Sequence, residues 1–407
     1  MKKFDLLKNK NFMLLWFAHS VSSLGDQVYS IAIMWYVMLL YKSTIYMGLS
    51  LVFTQLPILI FSPFAGVLAD KFNRKKILIV CDILSAVLIF IIFITSLNSK
   101  LNIYTIYAVS FLVSSVGAFF SPSMISLIPT FVEKKDLPLA NSMNRVTTSL
   151  YGIIGPAFSG VLIALLGVKP LFIMNSLSFL FSALCESFIL LPSIINKNTL
   201  QEKLNLLIKV KEGFQYCKKI KIVFYFMLIA GCIDNFFSAP LDIYIPIYSS
   251  KIFNMGSFGY GLLMALPAVG AILASIIFPF MNKKDNVYLK LTLWVSLEGI
   301  FVITLGLSKS LIFAFISLFM LGFSISMTNI NLSLIMQLIV PNEFMGRISS
   351  IFSMLASFTI PLGYFFGGLI CSHIMVSSIV FFSGIIMTLA GISTFKLTYK
   401  KQFNIAA

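Results

Sequence analysis

Six carboxylates stand inside long apolar runs of this sequence: Asp26, Asp82, Glu186, Asp234, Asp242 and Glu298. A charge at the centre of a bilayer costs roughly 2.5–3.5 kcal/mol even on the most lenient insertion scale. The same runs hold almost no lysine or arginine to pair with these acids. Acids in that position must face a watery cavity, exchange a proton, or bind a cationic ligand. Asp26 lies about 14 residues into its run and Asp234 about 12 into its own, so a rise of ~1.5 Å per residue puts both near mid-membrane. For each, a proton or substrate role stands beside a second reading, a polar group satisfied by helix packing. Asp82 is within two turns of Arg74 and Lys76, which predicts a structural ion pair. Glu186, in the inner half of its run, is placed to snorkel.

Other chemistry is poorly provided for. The two histidines, His19 and His373, and the scattered cysteines Cys81, Cys185, Cys217, Cys232 and Cys371 offer neither a nucleophile–base pair nor a metal cluster nor a disulfide framework. No enzyme, cofactor or metal site is expected. No GxxxxGK[ST] loop is present, which excludes an ATP-driven pump in cis.

The elements that must carry these acids are membrane helices. The 407 residues are 59% hydrophobic and only 11% charged, against about 25% charged in a soluble domain. Apolar runs of about 20 residues recur along the whole chain. They predict spans near 12–40, 46–69, 76–97, 103–127, 144–166, 170–192, 222–247, 259–280, 288–308, 310–336, 348–371 and 375–396. The connections between them alternate in charge. Of the 30 lysines and arginines, 25 fall on one side; only Lys42, Lys100, Lys169, Lys251 and Lys309 fall on the other. Cations near span ends are retained in the cytoplasm, so both termini are expected inside and the number of spans is even. The net charge of +16 then faces the anionic inner leaflet rather than a nucleic acid. The first run is too long for a signal h-region and reads as a retained signal-anchor helix.

The longest polar stretch follows the sixth run. It predicts an N-terminal six-helix bundle over 1–192, a cytoplasmic linker over 193–221 with an amphipathic stretch suited to the inner leaflet, and a C-terminal six-helix bundle over 222–407. The halves echo each other. Pro129 and Pro341 open equivalent inner loops, and glycine- and proline-rich fifth and eleventh spans follow. Asp26 and Asp234 occupy similar places in the first and seventh.

Two motifs are more specific. GVLADKFNRKK, Gly66 to Lys76, joins the second and third spans. With Gly66, Leu68, Asp70, Arg74 and Lys75 it resembles the inner-loop signature GxLaDrxGRkx of the major facilitator superfamily; Lys71 and Asn73 replace its commoner Arg and Gly. SLYGIIGPAFSGVL in the fifth span, with Gly152, Gly155, Pro156 and Gly160, is similar to the glycine–proline signature of the drug-antiporter branch, with Ser159 where that pattern has another glycine. The opening SxxGD around Ser22, Gly25 and Asp26, the NSLSFL at Asn175 to Leu180, Glu212–Gly213 and Gly346–Arg347 are similar to the macrolide-efflux-like branch, which includes siderophore exporters.

The resemblance covers the whole chain and implies an all-α integral membrane protein, twelve transmembrane helices in two six-helix halves with the major facilitator fold. It implies a central cavity lined by the first, fourth, seventh and tenth helices, hence Asp26, Asp234 and Asp242, with Asn329 and Asn331 opposite. Asp82, Glu186 and Glu298 would lie on peripheral helices. Asp70 would meet the N-terminal end of the eleventh helix in the outward-facing state, where a helix dipole attracts an anion. The expectation is a monomeric secondary exporter in a bacterial plasma membrane. It would exchange protons for an amphipathic, drug-like small molecule by alternating access. Export of a siderophore or lipid-like metabolite, and a non-transporting sensor or scaffold on the same fold, are the alternatives.

Overall fold

The computed structural model describes residues 5–97, 101–190, 221–281 and 287–395; within the helices, the side chains of residues 5, 63, 66–71, 221–223 and 342–343 are not described. Among the described residues twelve helices are long and apolar enough to cross a membrane, and the fold is all-helical. They are α1 Lys10–Tyr41, α2 Thr44–Lys71, α3 Arg74–Leu97, α4 Ile103–Phe131, α5 Leu137–Leu166 and α6 Lys169–Ser187. After the 193–221 linker, which lies almost wholly outside the described residues, come α7 Phe224–Ile252, α8 Gly256–Ile277, α9 Val287–Leu307, α10 Leu311–Ile339, α11 Asn342–Cys371 and α12 Val376–Ser393. Only helices satisfy every backbone polar group within one segment, which is why apolar runs of this length fold this way.

The ends follow local chemistry. Asn9 caps α1, its side chain accepting from the Phe12 amide at 3.1 Å, and Asn102 caps α4 through the Tyr104 amide at 3.0 Å. The α1–α2 connection turns at Lys42 with φ 48°, and α5 stops at Gly167 with φ 78°, where a glycine adopts the left-handed conformation without strain. α5 begins at Leu137, earlier than its apolar run, because Pro138 in its first turn lacks the amide that would otherwise go unsatisfied. α6 ends at Ser187, short of the expected 192.

One span departs from the expected simple helix. α7 is α-helical over Lys221–Leu228, winds as a π-helix over Ile229–Asp234, resumes through Asn235–Ser238 and Leu241–Ile247, and ends in a second π-helical turn at Tyr248–Ile252. Such wide turns leave carbonyls needing donors and concentrate at functional sites. Here Asn235 Nδ2 donates to the Ala230 and Gly231 carbonyls at 2.9 and 3.2 Å. Thr359 Oγ1 of α11 adds a bond to the Gly231 carbonyl at 2.9 Å.

The chain divides into two compact units, residues 1–200 with 256–262 and residues 201–255 with 263–407. The first has a buried cluster of Phe12, Leu15, Leu78, Leu127, Ile128 and Ala140. The second has one built on Phe226, Ile229, Leu291, Val295, Ile335 and Ile348. The first two turns of α8 are counted in the first unit.

Candidate functional site

Asp26 sits midway along α1 with its side chain exposed. Its Oδ1 accepts from Asn175 Nδ2 of α6 at 3.3 Å. Gly25 makes that approach possible. A Cβ there would stand 2.2 Å from Ser178 Oγ and 2.4 Å from Asn175 Oδ1. Ser178 Oγ in turn donates to Asn175 Oδ1 at 3.0 Å, turning the amide so that its NH2 faces the acid. The SxxGD and NSLSFL stretches, far apart in sequence, are thus two halves of one contact. The sequence reading singled out both without pairing them.

In the second unit Asp234 closes the first π-helical turn of α7. It is buried, and among the described residues neither carboxylate oxygen has a hydrogen-bond partner. Its electrostatic neighbour is Glu298 of α9, also buried, which accepts a hydrogen bond from Thr328 Oγ1 of α10. Three spans therefore meet at one acid pair. Glu298 was expected on a peripheral helix, away from the cavity acids; the fold brings it to Asp234. Nothing in the spacing of the sequence links residues 64 positions apart on different helices. Asp242, one to two turns further along α7, is satisfied instead. Its Oδ2 accepts from Tyr364 Oη of α11 at 2.6 Å.

The expected asparagines diverge. Asn329 lines a cavity of about 550 Å³ between α8 and α10, with Ser326, Ser333 and Gln337 on the same face of α10 and Ala271 and Phe278 across from it. Asn331 is buried and donates back to the Met327 carbonyl at 2.7 Å, so it serves its own helix. The polar stripe Ser326–Asn329–Ser333–Gln337 follows helical spacing. Only Asn329 of that stripe had been picked out.

The inner-loop cations are engaged with backbone. Arg74 Nη1 donates to the Ser126 carbonyl of α4 at 3.1 Å. Lys75 Nζ donates to the carbonyls of Ser187 and Ile189, both at 2.7 Å. The latter contacts neutralise the negative C-terminal end of α6 and account for its early stop. Gly66 and Asp70 lie in the last turns of α2, where side chains are not described, so the gating contact of Asp70 falls outside the described residues. The ion pair expected for Asp82 does not form: Asp82 is 1% exposed and its Oδ2 has no partner. Glu186 does not snorkel either, being fully buried. Both acids point into helix seams rather than toward the ends where the cations lie.

The glycine–proline motif is a packing device. A Cβ at Gly155 would meet Gln27 Cβ of α1 at 2.6 Å, and one at Gly160 would meet the Ser257 carbonyl of α8 at 2.7 Å. Pro156 is buried, its carbonyl 2.4 Å from where a Cβ on Gly261 would stand. Gly152 is half-buried, a turn before Pro156 on the same helix. The repeat seen in sequence recurs here, since Gly363 of α11 presses on the Phe236 carbonyl of α7 as Gly155 presses on α1.

Twelve spans with embedded acids and a cavity define a multi-pass membrane transporter that handles a small molecule. The profile of the transmembrane secretion effector family matches residues 2–405, and the chain belongs to this family of the major facilitator superfamily. Relatives span nearly its whole length. Macrolide efflux protein A of Streptococcus pyogenes is 22% identical over 387 residues, 94% of this chain and 95% of that protein. The uncharacterized MFS-type transporter YfiS of Bacillus subtilis is 25% identical over 400 residues, 95% and 92%. Among solved structures, a bacterial homologue of the iron transporter ferroportin in an inward-facing state superimposes with a TM-score of 0.73 at 14% identity, covering 97% of this chain and 99% of that one. The likeness is one of fold.

Proposed function

We propose that this protein is a proton-coupled exporter of an amphipathic, drug-like molecule, working as a monomer by alternating access with both termini in the cytoplasm. The observation that carries the reading is the pair of mid-span acids, Asp26 and Asp234, neither paired with a cation. An uncompensated carboxyl at that depth is retained for exchange of protons or cationic ligand rather than for stability. The cavity beside α10 supports a substrate of mixed character, apolar on one side at Ala271 and Phe278 and hydrogen-bonding on the other at Asn329 and its neighbours. The macrolide efflux relative supports the direction of transport and a macrolide as the first compound to try. In this scheme Asp26 and Asp234 carry the exchanged proton, Glu298 sets the charge state that Asp234 can hold, and Asp70, Arg74 and Lys75 brace the inner loop.

The test is accumulation of a radiolabelled macrolide in cells expressing the protein, with and without a protonophore. Wild type should lower accumulation, and the protonophore should abolish the difference. Asp26→Asn, at matched expression, should lose uphill efflux while remaining inserted. Macrolide accumulation unchanged by the wild-type protein, with a siderophore exported instead, would redirect the substrate but not the coupling. Full uphill efflux by both Asp26→Asn and Asp234→Asn would remove the acids from the mechanism.

A further inference from the structure

A second set of acids, next to Asp26 but distinct from it, takes no part in the scheme above. Asp82 on α3 and Glu186 on α6 face each other across the seam between these two helices and interact electrostatically. Ser182, one turn before Glu186 on the same face of α6, lies against the Asp82 carboxylate. The register is set by Ser176 Oγ, which donates to the Ala86 carbonyl at 2.8 Å one turn further along. Asp82 is 1% exposed, and Glu186 and Ser182 are 0% exposed. Four oxygens there have no hydrogen-bond partner: Asp82 Oδ2, Ser182 Oγ and both carboxylate oxygens of Glu186.

Two carboxyls confined together in an apolar seam are not stable as two bare anions; something positive must lie between them. Among the described residues no side chain supplies it. Lys75, the nearest basic group of the inner loop, is committed to the carbonyls of Ser187 and Ile189. The other titratable groups that face the pair are Cys81 of α3, Cys185 of α6 and Asp26 of α1, none of them a cation. The described side chains of α2, α4 and α5 contribute no charge to the pair. Three carboxylate oxygens and one hydroxyl oxygen, one from α3 and three from α6, form the ligand set of a small hard cation.

We propose that Asp82, Ser182 and Glu186 form a site for one small monovalent cation, a proton or Na⁺, in the α3–α6 seam. The site adjoins Asp26, is separate from Asp234 and does not depend on which substrate is carried. Because Glu186 is in the last turn of α6, one residue from the carbonyl that holds Lys75, occupancy bears directly on how α6 is anchored to the inner loop.

The experiment uses the purified full chain in detergent, with the unfolding midpoint as readout. Sodium is titrated against choline at constant ionic strength and alkaline pH; separately, pH is lowered in choline alone. A saturable rise in the midpoint is expected in at least one arm, and the arm that responds identifies the cation. Asp82→Asn and Glu186→Gln should each weaken the apparent affinity by about tenfold or more. The double variant should lose the sodium response, and the share of the pH response that Asp82 and Glu186 contribute, while unfolding at or above the cation-free wild-type midpoint, because two repelling carboxyls are gone. Asp26→Asn should keep it. Should the double variant not fold, Ser182→Ala, which retains both acids, must show a weakened response. The inference is overturned if wild type shows no saturable response in either arm, or if the response survives the substitutions at Asp82, Glu186 and Ser182.

Discussion

Asp26, Asp234 and Asp242 are all carboxyls carried within spans, yet their surroundings differ. Asp242 has a tyrosine donor and needs nothing further. Asp26 has one amide donor and an open face. Asp234 has a buried carboxylate with no donor at all and an acid for a neighbour. In the proposed scheme it is hydrogen-bond satisfaction, not position along the helix, that separates Asp242 from the two acids proposed to exchange protons. The Asp26 contact depends on the missing side chain at Gly25. Gly25→Ala would force α1 away from Ser178 and Asn175, an overpacking that costs about 1–3 kcal/mol. Its unfolding midpoint in detergent should fall, and Ser178→Gly in the same chain should recover part of the loss, since it removes both serine atoms at the clash. No recovery would mean that the α1–α6 approach is set elsewhere.

At the scale of elements, α7 is the exception among otherwise regular spans. Its first π-helical turn is held open by Asn235, whose side chain serves two carbonyls, and by Thr359 from α11. Closing that turn to an α-helix would remove one residue's width and rotate Asp234 out of line with Glu298. Asn235→Ala gives up two hydrogen bonds of about 0.5–1.5 kcal/mol each. It should reduce efflux to a small fraction of wild type at normal membrane insertion, with Asn235→Asp recovering little because a carboxylate cannot donate. Wild-type efflux in Asn235→Ala would show that the turn is idle. The hydropathy of residues 222–247 announced a span here, but a π-turn adds a residue without changing hydropathy and leaves no trace in the composition.

For the whole molecule, the distribution of charge predicts the orientation. With 25 cations on one set of connections and 5 on the other, cysteines introduced at Lys42, Lys169, Lys251 and Lys309 in a background free of native cysteine should react with an impermeant thiol reagent added outside intact cells. Those at Lys75, Lys134 and Lys290 should react only after permeabilisation. The opposite labelling would invert the topology and with it the direction assigned to transport.

The twelve spans, their near boundaries and the repeat between halves were all legible in the linear sequence. Each rests on a one-dimensional signal: apolar length against bilayer thickness, and cation counts between runs. The motif residues were legible as well, and Gly155, Pro156 and Gly160 carry the close packing their types suggested. What the sequence could not decide is which acid meets which. Glu298 comes to Asp234, Glu186 to Asp82, and Asn175 to Asp26 only because neighbouring helices settle at a particular register. Helix-to-helix register depends on small residues and side-chain interlock across the seam, so partners 64 to 149 positions apart become neighbours only once the spans have packed.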